Sequence, residues 1–146
     1  MVIVALQRAV LRVRDAARGQ VVTMPLSSSA SAGRALWSAY VAAVARRFAR
    51  DFPQARRGVA LEITSDLPQS AGLSSSSALI VAIAMALIDA NHMEDDDTWR
   101  AEVPDALACA EYFAAMETGA PYGPFAGDAG VGVRGGAQVT RNQGEV

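Results

Sequence analysis

Hydrophobic positions change their spacing several times along this chain, and each change predicts an element. Val2-Ile3-Val4-Ala5-Leu6 and Ala9-Val10-Leu11-Arg12-Val13-Arg14 are short β-branched runs, the second alternating in part. They predict strands, with a turn near Asp15–Gly19 and a further strand over Gln20–Met24. Pro25 to Ser31 is serine-rich and predicts an exposed loop. From Ser31 or Gly33 the period becomes helical: Leu36, Tyr40, Val44 and Phe48 recur every four residues, with Trp37, Val41 and Ala45 beside them. Arg46, Arg47 and Arg50 fall on or near the opposite side, the expected solvated face. Phe52-Pro53 ends that helix. Val59, Leu61 and Ile63 then alternate with Ala60, Glu62 and Thr64, which predicts a half-buried strand. A helix is expected from about Pro104 to Thr118, with Leu107, Ala110, Phe113 and Ala114 on its apolar face and Gly119 as its stop.

Between strand and last helix lies the stretch around which the rest is organised. Leu67-Pro68-Gln69-Ser70-Ala71-Gly72-Leu73-Ser74-Ser75-Ser76-Ser77 runs directly into Ala78–Ile88, which is apolar on every side. Such a helix is expected to be buried, which would hold its first turn rigidly. Free N–H groups and the positive end of the helix dipole at that turn suit a phosphate. Gly72 would let the backbone approach a ligand closely, and the serine hydroxyls can cap the helix or ligate a hard cation. The turn is expected at Gly72–Ser76, with the helix over Ser77–Ala90. It is not a Walker A loop, because the chain contains no lysine. Nor is it a nucleophile elbow, since Gly72-Leu73-Ser74-Ser75-Ser76 lacks the second glycine.

Composition narrows the class. The chain has 146 residues, enough for one domain with a real core, and a net charge of −2 that points to no polyanion partner. Neither nucleic acid nor membrane is an expected partner. One cysteine, Cys109, excludes an internal disulfide and reads as a small buried thiol on a helix face. The run Ala78–Ile88 is much shorter than the roughly 20 residues that span a bilayer, and Arg8, Arg12 and Arg14 spoil a signal-peptide pattern. A cytoplasmic protein is the expectation. His92, the single histidine, reads as a loop or helix-end residue. Glu94-Asp95-Asp96-Asp97 lacks calcium-loop spacing and reads as a solvated loop and helix start before Thr98-Trp99.

The spacing Pro-x-x-x-Gly-Leu-Ser-Ser-Ser at Pro68–Ser76 resembles the phosphate-binding motif of the GHMP kinases: galactokinase, homoserine kinase, mevalonate kinase and phosphomevalonate kinase. The three serines after Gly-Leu look most like the galactokinase branch. Trp37-Ser38-Ala39-Tyr40-Val41 matches a galactokinase pattern read here as core packing, and Leu6-Gln7-Arg8-Ala9-Val10 resembles the start of a galactokinase β-hairpin. The resemblance implies an α+β fold: a mixed sheet covered by helices, like the N-terminal lobe of these kinases and domain 2 of ribosomal protein S5, with a left-handed βαβ crossover. It implies ATP and Mg²⁺ as cofactors and a sugar or related small alcohol as substrate. Pro68, Gly72, Leu73, Ser74, Ser75 and Ser76 would bind nucleotide phosphates. Ser76, or else Ser75, would reach the magnesium, together with Glu117 near the end of the last helix; Glu111 is the competing carboxylate.

Beyond Gly119 the composition alone reads as a mobile, glycine-rich segment over 119–138. Gly127–Gln138 resembles a family stretch that leads into the catalytic aspartate, and the matching position here is Val139. Asp128 is the nearby carboxylate left for that role, or it serves to hold the glycine loop. The expectation is therefore a partial N-terminal, ATP-binding domain over 1–146, without the upstream sugar-recognition segment and without the C-terminal domain. Phosphoryl transfer would then be impaired. The alternatives are a non-catalytic ATP-binding sensor or interaction protein, or a gene fragment.

Overall fold

In a computed structural model the described residues are 1–64 and 72–131, with the backbone alone described over 72–76. The elements follow in the order β1 (Val2–Ala5), β2 (Val10–Asp15), β3 (Gln20–Pro25), α1 (Ser38–Asp51), β4 (Val59–Ile63), α2 (Gly72–Ala90), α3 (Asp97–Glu102) and α4 (Ala106–Thr118). A 3₁₀ turn, Met93–Asp95, joins α2 to α3. The strands make one mixed sheet in the order β1-β4-β2-β3. β2 pairs antiparallel with β3 and parallel with β4, while β1 runs antiparallel along β4 at the edge. The expected α+β architecture, a mixed sheet covered by helices, is the one observed.

Alternation does the local work in the sheet. Leu11 sits in register with Met24 and Val59, and Val13 with Val22 and Leu61. All six are buried on the face that receives the helices. On the other face Arg14 lies opposite Glu62 and pairs with it. The β2–β3 turn is closed by the Asp15 carboxylate, which accepts from the Ala17 and Arg18 N–H groups at 3.0 and 3.2 Å.

The helices reverse one expectation. α1, read as amphipathic with a solvated arginine face, is enclosed: it packs on β2 and β3 below and on α2 and α4 beside it. Arg47 is 0% exposed and Asp51 is buried. α2, read as buried all round, has an open side where Met85 is 50% exposed and Val81 also meets solvent. Burial follows the neighbours that an element acquires, and the residues of α1 obtain polar partners inside. Leu36, placed by its period on the α1 face, precedes the helix and is 83% exposed.

α4 begins at Ala106, capped by the Asp105 carboxylate on the Ala108 N–H, rather than at Pro104. Its buried residues are Tyr112, Phe113, Ala115 and Met116; of the expected face only Phe113 is buried, while Ala110 and Ala114 are exposed and Leu107 is 68% exposed. Phe52, expected only to break α1, is the hub of an aromatic cluster. Its ring lies 5.3–5.9 Å from those of Phe48, Trp99, Tyr112 and Phe125. Acidic residues before α3 act as the sequence suggests: Asp96 caps Trp99 N–H at 2.9 Å. His92 takes a left-handed φ of 49° at the head of the 3₁₀ turn, an exposed element end. Among the described residues no helix is long and apolar enough to cross a membrane, and no cluster of three His, Cys, Asp or Glu is placed to hold a metal.

Candidate functional site

The site begins where α2 starts. Backbone geometry puts Gly72–Ser76 inside the first turns of α2, so the helix opens at Gly72 instead of Ser77. The phosphate-suited N–H groups of a helix belong to its first turn, so an earlier start moves that end toward Gly72. Pro68 and Val139 lie outside the described residues, as do the side chains of Leu73, Ser74, Ser75 and Ser76.

The carboxylate comes from the last turn of α4. Gly119, at φ +86°, closes that helix through its N–H on Ala115 O at 2.8 Å. One residue inside it, Glu117 is half-buried and its Oε1 accepts a 2.9 Å hydrogen bond from Ser77 Oγ. Two residues forty positions apart thus meet side by side, at the end of the serine run. Glu111, the competing carboxylate, is exposed. Ser77 itself was outside the expected set; the run of four serines was the signal that could have included it.

Glu117 and Ser77 stand at one end of a groove of about 570 Å³ between α2 and α4, lined otherwise by apolar side chains such as Ile80, Met85 and Phe113. Cys109 lines it too, half-buried rather than enclosed, and burial raises its thiol pKa. A second cavity, about 560 Å³, lies along β3 and the loop before α1, with Gln20, Thr23, Arg34 and Ser38 in its walls. Trp37 is half-buried close by in sequence and donates its indole N–H to Gln20 Oε1 at 2.8 Å.

Asp128 takes an anchoring position. Its carboxylate accepts the Gly130 N–H at 2.9 Å and lies 3.9 Å from Arg46 Nε and 3.8 Å from Arg47 Nη1. The segment Gly119–Val131, which composition alone reads as mobile, is packed backbone against backbone. A Cβ on Gly130, whose φ is +63°, would come within 2.7 Å of Glu117 O and 2.6 Å of Gly119 N. Guanidinium groups of α1 reach its carbonyls: Arg46 to Gly130, Arg47 to Ala120, Arg50 to Ala126 and Gly127. Sequence reasoning missed this arrangement; the i, i+4 spacing of Arg47 and Asp51 was its available hint.

A serine-rich start of α2 thus lies beside the Glu117 carboxylate within an α+β architecture. Residues 39–123 match the family model described as GHMP kinases N terminal domain. That span is more than half of the chain and holds all of α1 but its first residue, together with β4, the serine run and Glu117. The chain belongs to the GHMP kinase family. Compared with curated proteins and with solved structures, it gives no significant match.

Proposed function

We propose that this chain is the nucleotide-phosphate lobe of a kinase that moves the γ-phosphoryl group of ATP onto a hydroxyl of a sugar or a related small alcohol. Kinases of this family use ATP, generally with Mg²⁺. The observation that carries the reading is the Ser77–Glu117 contact beside the first turns of α2. Backbone N–H groups from Gly72 to Ser76 would cradle the phosphates, aided by the dipole of α2. Ser76 and Glu117 would hold the cation, and Ser77 would orient the Glu117 carboxylate. Hydroxyl and carboxylate oxygens fit a hard divalent ion. The bound cation would neutralise phosphate charge, and the rest of the work is positioning.

The reading of an ATP-binding sensor has its own support. Val139 stands where the resemblance expects the catalytic aspartate, and its side chain can accept no proton. Asp128, the substitute, already holds Gly130 N–H beside two guanidinium groups. To serve as a base it would have to leave them.

Calorimetric titration of the purified chain with ATP, with and without Mg²⁺, tests the cradle. Binding that strengthens with Mg²⁺ is expected. Gly72→Val should abolish it by blocking the close backbone approach. Equal titrations for wild type and Gly72→Val would end the proposal. ADP release across a panel of sugars and small alcohols separates kinase from sensor.

A further inference from the structure

Resting on the reading of Glu117 as the carboxylate beside the cation, we propose that Arg46 and Arg47 of α1 are positioning residues that aim it at Ser77. Glu117 sits in the last turn of a helix, where carbonyls lose their intrahelical partners and the chain frays unless held. Three carbonyls bracket it, and α1 arginines reach each of them. Arg47 donates to Ala115 O at 3.2 Å and to Ala120 O at 2.7 Å. Arg46 donates to Gly130 O at 2.7 Å, and the next residue, Val131, gives its N–H to Glu117 O at 2.9 Å. Gly130 has no side chain to hold it off the turn that carries Glu117.

The grip closes on itself. Arg47 Nε donates to Asp51 Oδ2 at 3.0 Å, and the Tyr112 hydroxyl, from α4, donates to the same oxygen at 2.9 Å. Position and orientation of α4 are thereby set against α1 by charge-assisted bonds rather than by fat contact alone. Arginine suits the task because its planar fork serves several acceptors at once, which a lysine ammonium on a flexible stem does less well. A buried ion pair is by itself weak evidence for a stabilising role. Here the guanidinium groups converge on the main chain around one carboxylate, and that convergence points to alignment. Misplacing a coordinating oxygen by a fraction of an ångström costs affinity even when the fold survives.

The test uses Mn²⁺ as the probe, since the sharp electron paramagnetic resonance signal of the free ion is lost on binding and gives the bound ion by difference. ATP affinity of the purified chain is measured with and without Mn²⁺, and the gain due to the metal is the readout. Glu117→Gln should remove that gain. Arg46→Gln, at a partly exposed side chain, should keep the thermal midpoint close to wild type and reduce the gain by about 10–100-fold. Arg47→Lys should reduce it likewise. If Arg47→Lys does not fold, Arg46→Gln decides alone. Unchanged gain in the arginine variants, with the gain lost in Glu117→Gln, overturns the positioning role and leaves the site reading intact. A full gain in Glu117→Gln, or none in wild type, overturns the site reading and this inference with it.

Discussion

Tyr112 joins the aromatic cluster to the buried Arg47–Asp51 pair. Its ring lies among Phe52, Trp99, Tyr122 and Phe125, at centroid distances of 5.3–6.2 Å, while its hydroxyl reaches Asp51. Burial, followed by the negative charge of Asp51, pushes the phenol pKa well above its ordinary value near 10. The folded protein therefore holds this proton more tightly than the unfolded chain. Its contribution to stability is fully present below about pH 10 and declines as pH rises past that value. Tyr112→Phe should cost about 1.5–3 kcal/mol at neutral pH, as expected for a hydrogen bond to a charged group. It should also flatten the alkaline loss of stability. Urea unfolding of both proteins at neutral and alkaline pH measures the two effects. An alkaline limb that is just as steep in Tyr112→Phe would show that another group titrates there.

At the level of elements, α1 and the strap that follows α4 form one unit. α1 has arginines at positions 46, 47 and 50, and each gives at least one hydrogen bond to a carbonyl between Ala115 and Gly130. The strap answers with glycines that let backbone meet backbone. Gly130→Ala should destabilise the protein by about 1–3 kcal/mol, since the new residue would be forced into a left-handed conformation with no room for its Cβ. Denaturant midpoints report that loss. Full stability in the variant would mean that the strap can lift away without consequence. The helix α2 behaves differently: its outward side, with Val81 and Met85, lines the open groove toward α4.

For the whole molecule, binding and turnover are expected to separate. The proposed cradle draws only on α2 and α4. General-base help supplies about 10²–10⁴-fold in rate, and with Val139 at the expected position that factor should be missing. Alcohol-stimulated ADP release should therefore fall short of an efficient small-molecule kinase by a similar factor, in a chain that still binds ATP. Release at a robust rate would identify another base, with Asp128→Asn as the variant that asks whether Asp128 serves.

Local pattern alone determined a good deal of this protein. The strands β2, β3 and β4 follow from period-two alternation, which depends on neighbours two residues away. The helix end at Gly119 was legible as a stop, and the serine run with the helix behind it pointed to the GHMP kinase family. Tertiary structure decided which faces are inside. α1 could be enclosed despite Arg47 and Asp51 because their partners come from Tyr112, Ala115 and Ala120, some sixty to seventy residues away. α2 could leave apolar residues in solvent because its neighbours cover only part of its surface. The meeting of Ser77 with Glu117 belongs to the same class of fact. Periodicity records what a segment can bury, whereas partners distant in sequence decide whether a charge is buried with compensation or a hydrophobic face is left open.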